Sequence, residues 1–471
     1  MPVKDRIRQL NSRAENPAGR CVLYWIQANP RADSNYALVH AAEVANRLDL
    51  PLLCFEELTF DCPLANDRLH TFALEGVPET QRGLEALGAG YLFHLRRDRR
   101  DPGDVLQRLA ADAAAVVTDD YPTGLPRQRN ETIPGTLEVA CTAVDSSCVV
   151  PMSRMEKREY AAYTIRPKIR KLLPRYLAPA PAVHLKRRWK GPRPAGHTEV
   201  TAAAIPRLVA ACDISHSIPP STTFRGGRTA ALRRLEHFLE HNLRRYAADR
   251  NNPTAHATSG LSPYLRAGFV SSLEVALAAK SYGEAHEIMT DEFLEELIVR
   301  RELSFNHARF SADPASLVTL PAWARATLLA HAADERQPCY SREQFLNTET
   351  HDPLWNATQR EMRLRGKIHG YYRMYWGKKI IEWSPTCQDA LETMVHIHDI
   401  FALDGRDPNT YTGILWCFGL HDRPWQERPV FGMVRYMSCD GMRRKTSVDA
   451  YISEIRRLAE TGEDLGRVGE E

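Results

Sequence analysis

The sequence has no uncharged apolar run near the roughly 18–20 residues that a membrane span needs, which excludes a membrane protein. Its first twenty residues, Met1 to Arg20, lack the apolar core of a signal peptide. That predicts a soluble cytoplasmic protein, nucleoid-associated in a bacterium and nuclear in a eukaryote. Close cysteine pairs are missing: the ten cysteines never form C-x-x-C, so buried free thiols are expected and no metal site. No G-x-G-x-x-G follows an apolar run, which disfavours a flavin monooxygenase or dehydrogenase holding its dinucleotide in a crossover turn. There are no internal repeats. Charge of one sign is also scarce, with a net +3, and that neither supports nor excludes nucleic acid because clustering decides.

What is present fits a globular protein of two or three domains: 471 residues, 43% of them apolar. The charge does cluster. From Arg154 to Lys190 there are twelve Lys and Arg against two acids, Glu156 and Glu159. Such a stretch is either a solvated basic linker or a phosphate-binding one.

Residues 1–150 alternate apolar runs with helical patterns. Strands are predicted at Cys21–Gln27, Pro51–Phe55, Tyr91–Leu95 and Ala115–Thr118, and helices at Asn35–Leu48, Leu69–Leu87 and near Val105–Asp112. The expected fold is an α/β domain with a parallel, Rossmann-like sheet that carries no dinucleotide fingerprint. Residues 151–227 read as a basic, proline-rich connector. Residues 228–471 read as an all-α domain, with helices expected at Ala230–Ala248, Leu273–Ser281, Asp291–Ser304, Ser341–Leu346 and Trp355–Trp383.

Four segments draw chemical interest. In "TSGLSPYLRAG" (Thr258–Gly268), Ser262 is placed as a helix N-cap with Pro263 following, and the exposed N–H groups suit a phosphate; an ordinary capped helix is the plainer reading. On the amphipathic helix Asp291–Asn306, Glu296 and Arg300 at i,i+4 are either a surface ion pair or, in a cleft, a carboxylate offered to a base. Trp376 and Trp383 share one helical face, with Trp355 upstream, which is core packing or a path for electrons. "DGRDPN" (Asp404–Asn409) is a surface turn or a loop offering carboxylates to a heterocycle.

Longer stretches settle the family expectation. "EYAAYTIRPKI" (Glu159–Ile169), "FLEELIVRREL" (Phe293–Leu303), "THDPLWNATQ" (Thr350–Gln359), "GKIHGYYRMYWGKKIIEW" (Gly366–Trp383), "DGRDPNTY" (Asp404–Tyr411) and "GLHDRPWQERPVFG" (Gly419–Gly432) occur in order across nearly the whole chain. They resemble the class II cyclobutane pyrimidine dimer photolyases. The resemblance implies a helical domain holding FAD and an N-terminal domain with room for an antenna chromophore, a deazaflavin or a folate. It implies phosphate contacts from Ser259, Gly260, Leu261 and Ser262, with Tyr246 nearby, and Arg373 and Asp404 against the flavin ring. It further implies Glu296 bonded to the dimer, Trp416 stacked on it, and Arg435 and Arg423 on UV-damaged DNA. Trp355, Trp376 and Trp383 match a photoreduction chain, with Trp376 nearest the flavin. No membrane and no obligate protein partner is implied.

The chain departs from that pattern at His398, where an asparagine faces flavin N5. Histidine there is expected to donate a hydrogen bond or a proton and so to favour another redox state. His307, Met433 and Ser438 also depart. The implied reaction is light-driven electron transfer from reduced FAD to a flipped-out dimer. The alternative is a flavin-binding light sensor or DNA-binding relative without repair. Glu296, Trp416 and Arg435 favour repair, and His398 favours the alternative.

Overall fold

A computed structural model describes residues 3–468. Six strands form one sheet: β1 (Ile7–Gln9), β2 (Cys21–Ile26), β3 (Leu52–Thr59), β4 (Gly90–Arg96), β5 (Ala113–Asp119) and β6 (Cys141–Val144). Their order is β1-β6-β5-β2-β3-β4, parallel except for β1, which pairs antiparallel with β6. The four longest strands, β2 to β5, lie where the apolar runs predicted them. Every residue of β2 and β5 is buried, as helices on both faces of a parallel sheet require. The short strands β1, at one edge, and β6, beside it, were not expected, because each is too short to show a periodicity. Strand order reverses between β2 and β5, where Asp119 accepts the backbone N–H groups of Gln27, Ala28 and Asn29 at 2.9, 2.9 and 3.2 Å.

The 151–227 stretch is more structured than a connector. It contains the helix Ala162–Tyr176, and further on the Trp189 and Thr198 amides donate to Gly88 and Phe93 beside β4. Much of its positive charge is already paired: Arg166 with Glu295, Lys168 with Glu159, Arg175 with Asp5 and Arg187 with Asp49.

The helical region contains two apolar cores. One joins the sheet to helices up to Leu303; the other, rich in aromatics, lies among residues 218–458. Three predicted helices are interrupted. Asp291–Ser304 carries a π turn at Glu295–Arg300. Ala230–Ala248 becomes Arg228–His237, a π turn at Phe238–Asn242, a 3-10 turn at Leu243–Arg245 and Tyr246–Asp249. Trp355–Trp383 becomes Pro353–Arg365 and Gly370–Trp383, because Gly366 at φ 80° ends the first in the left-handed conformation that favours glycine. That break lets the two helices pack against each other.

Arginines from the first half fasten the two parts. Arg68 is buried and donates to the carbonyls of Met362, Arg363 and Phe401, at the C-terminal ends of two helices whose dipoles favour a cation. Tyr121, just past β5, donates 2.6 Å to Asp407, whose carboxylate caps the helix Pro408–Cys417. The helix that carries Trp416 is thus held from both domains.

Candidate functional site

The segment "DGRDPN" is no surface turn at its first residue. Asp404 is buried and takes two contacts from Arg373 at 2.9 and 3.0 Å, with the Ser262 hydroxyl donating at 2.7 Å and the Lys367 ammonium 3.8 Å away. Burial alone would raise this carboxyl; Arg373, Lys367 and Ser262 outweigh it and hold it well below the usual carboxylate range. Ser262 is therefore not the helix N-cap that its spacing predicted. It opens the helix Ser262–Ala267 with its hydroxyl turned to Asp404, and the cap position falls on Leu261 without a side-chain bond.

Beside this pair the loop through Ser259 and Gly260 lines a cleft with Arg234, Asn242, Lys367 and His369. Gly260 has φ 64°, and a Cβ there would come 2.8 Å from an Arg234 guanidinium nitrogen. The left-handed backbone and the nearby guanidinium both favour glycine there. Tyr246 is buried edge-on to Phe293, with the Arg250 guanidinium 5.9 Å from its ring. Several buried polar atoms around these residues have no hydrogen-bond partner among the described residues: Nε of Arg234, Nε of Arg373, Nε2 of His369 and Nε2 of His398. Unpaired buried polar atoms are costly, and a cluster of them marks a place for a polar ligand. Buried cations beside a glycine cradle suit phosphates, and the Arg373–Asp404 pair with further unpaired nitrogens suits a heterocycle. The residues fit a flavin dinucleotide.

His398 lies fully buried on the helix Cys387–Phe401, edge-on to Trp376 at 5.0 Å. Burial, helped by Arg373, pushes its pKa down to about 3, so the ring is neutral. Its Nδ1 lies 3.1 Å from the Met394 carbonyl, which can only accept, so the single ring proton is on Nδ1 and Nε2 carries a lone pair. With the proton on Nδ1, the nitrogen left without a partner among the described residues, Nε2, is an acceptor.

The three tryptophans form one series of ring contacts, stacked at the first pair and edge-on at the second. Trp376 and Trp355 lie 6.3 Å apart at 7°, and Trp355 and Trp383 lie 6.4 Å apart at 66°. Trp355 is the middle member, a placement hidden in the sequence because its helix is a separate one. The Trp355 indole N–H donates to the Trp376 carbonyl at 3.0 Å and that of Trp376 to Gln359 at 2.9 Å, so both rings are fixed.

Glu296 does not pair with Arg300. A π turn at Glu295–Arg300 shifts the faces of the predicted helix. Glu296 instead accepts from Arg250 at 2.7 Å with 41% of its side chain exposed, and the Arg300 guanidinium sits 5.4 Å from the Trp416 ring. His421 lies against Trp416 at 5.9 Å and His307 against His421 at 6.0 Å, both held neutral by burial at about 3 and about 4. Further along, Trp425 is 39% exposed and flanked by two cations, Arg423 at 5.1 Å and Arg435 at 4.9 Å. Arg428, Arg444 and Lys445 border the same groove, and no acid does. Met433 serves through its backbone, donating to Thr327 and accepting from Trp425, and Ser438 caps the helix Cys439–Arg443. Sequence reasoning overlooked Arg234, Arg250, Gln359 and Lys367; of these only Gln359 and Lys367 lie inside quoted motifs.

No group of three or more His, Cys, Asp or Glu placed to hold a metal ion occurs among the described residues. Nor is any described helix long and apolar enough to cross a membrane. The DNA photolyase family model matches residues 22–185. The chain is 40% identical to a deoxyribodipyrimidine photo-lyase of Methanothermobacter thermautotrophicus, over 96% of this chain and 98% of that protein. It is 38% identical to one of Oryza sativa, over 99% and 93%. Its fold is similar to a Synechocystis cryptochrome, with TM-score 0.69 and 18% identity over 93% and 89% of the two chains. It is also similar to an Agrobacterium tumefaciens class III photolyase, with TM-score 0.64 and 20% identity over 97% and 95%. The chain belongs to the deoxyribodipyrimidine photo-lyase family, in the photolyase/cryptochrome superfamily.

Proposed function

We propose that this protein repairs cyclobutane pyrimidine dimers in UV-damaged DNA by light-driven electron transfer, with FAD as cofactor. One observation carries the reading: the Arg373–Asp404 pair ties a helix bearing the buried Trp376 to a segment that leads into Trp416 at the surface. Bound FAD supplies a photon-driven one-electron reduction of the dimer and takes the electron back after the ring opens.

The chain's own residues do the rest. Ser259, Gly260, Leu261 and Ser262, with Arg234, would hold the phosphates, and Tyr246 packs nearby. Arg373 and Asp404 would orient the flavin ring. Glu296 would hydrogen-bond the dimer once Arg250 yields one of its contacts, in a site where such a bond strengthens as charge develops. Trp416 gives the flipped bases an aromatic face, and flipping a lesion costs less than flipping an intact pair. Arg423 and Arg435 would grip the flanking DNA. Trp376, Trp355 and Trp383 would carry electrons inward. His398, neutral and with an acceptor nitrogen, would serve the repair and the sensor readings alike, so Glu296, Trp416 and Arg435 decide between them.

The test uses UV-irradiated plasmid, FAD-loaded protein and a dimer-specific nicking enzyme. Loss of nicking sites under blue light and not in the dark is expected. Binding of the irradiated plasmid without any loss of sites would overturn the repair reading and leave a sensor.

A further inference from the structure

The aromatic stack does not end at Trp383. Tyr340 lies edge-on to it, ring centroids 5.8 Å apart, closer than either tryptophan pair. Its backbone N–H donates to the Trp383 carbonyl at 2.9 Å. The next residue, Ser341, opens the helix Arg342–Leu346 through a capping box with Gln344, so the position of Tyr340 is fixed from both sides.

The phenol is equally well defined. Its oxygen accepts the backbone N–H of His351 at 2.9 Å and lies 2.8 Å from His351 Nδ1. In the His351 tautomer protonated at Nε2, the phenolic hydrogen is donated to Nδ1. The His351 ring stacks at 18° to Tyr340 and packs 4.8 Å from Trp383. Exposure grades along this path: Trp383 is buried, Tyr340 half-buried and His351 exposed. The Lys379 ammonium lies 5.5 Å from the Trp383 ring, and a cation on that face opposes an electron hole residing there.

We propose that Tyr340 is the terminal electron donor of the tryptophan stack, with His351 as its proton acceptor. The proposal rests on the reading that Trp376, Trp355 and Trp383 conduct electrons. Trp383, oxidised by one electron through Trp355 and Trp376 under the excited flavin, takes that electron from Tyr340. The O–H bond breaks and its proton passes to His351 Nδ1, leaving neutral Trp383, a neutral tyrosyl radical and an imidazolium. An external thiol then returns a hydrogen atom to the phenoxyl oxygen, His351 releases its proton to water, and the exposed end of the path makes that exchange accessible. The proton step matters because a phenol stripped of an electron is a strong acid, so a fixed base makes its oxidation favourable.

Electron paramagnetic resonance on illuminated, rapidly frozen, FAD-loaded full-length protein tests this. A tyrosyl signal is expected that narrows in protein grown on ring-deuterated tyrosine. It should be replaced by a tryptophanyl signal in Tyr340→Phe protein of matched FAD content. His351→Gln should slow tyrosyl formation and shrink its solvent deuterium isotope effect, and it serves as the test if Tyr340→Phe fails to fold. A tryptophanyl signal alone in the wild type, or a tyrosyl signal that persists in Tyr340→Phe, would overturn the proposal. Trp355→Phe separates the two levels: a tyrosyl radical forming in that variant would refute conduction through Trp355, whatever Tyr340→Phe shows.

Discussion

Tryptophan has two environments in this molecule. Trp355, Trp376 and Trp383 are 0, 1 and 3% exposed and in ring contact in series, the first two fixed by indole hydrogen bonds. Trp425 is 39% exposed and flanked by arginines, and Trp416 is half-buried under Arg300. The same side chain in a dry, rigid stack suits electron transfer, and in a wet, basic surface it suits stacking on nucleic acid. Burial and neighbours, not residue type, divide the two roles.

The largest effect expected is at the pair joining the two regions. Asp404→Asn leaves Arg373 and Lys367 without their buried carboxylate and should cost about 3–5 kcal/mol, read by chemical denaturation. Loss of only a few tenths would mean that the pair does not hold the site together. On the exposed side, Glu296→Gln removes a charged hydrogen-bond acceptor worth about 1.5–3 kcal/mol. Roughly ten- to a hundredfold slower repair is expected, with binding of irradiated DNA little changed.

At the buried side the prediction concerns pH. His398 titrates at about 3 when folded against 6.5 as its ordinary value, so the unfolded chain binds the extra proton between these limits. Its contribution therefore makes stability fall as pH drops below 6.5, by about 1.4 kcal/mol per pH unit. His398→Asn should flatten the acid side of the stability profile by one proton, measured by denaturation at several pH values. An unchanged slope would mean that His398 is not held neutral. The smallest effect is at the rim: Arg423→Ala and Arg435→Ala should each reduce the salt dependence of DNA binding by about one unit of log–log slope. A slope unaffected by both changes would place the DNA elsewhere.

Legibility followed the range of the interactions. Strands β2 to β5 and the loop through Ser259 and Gly260 are local patterns, and the order of motifs carried the family. What the sequence concealed is set by distant partners. Gly366 splits a pattern that reads as one helix, and only the split places Trp355 between Trp376 and Trp383. The π turn after Leu294 gives Glu296 to Arg250, which no i,i+4 count anticipates. Ser262 looks like a cap until Asp404, 142 residues away, claims its hydroxyl. The basic run from Arg154 to Lys190 looks like a nucleic-acid stretch until its acidic partners on other elements are seen.

The division between the two tryptophan sets is most directly tested by the recovery of thymine absorbance in irradiated oligothymidylate under blue light, with protein reduced either chemically or by light. The account predicts that Trp416→Ala suppresses recovery whichever way the protein was reduced. Trp383→Phe should suppress it chiefly when the electrons must be supplied by light. Equal losses for both variants under both regimes would contradict it.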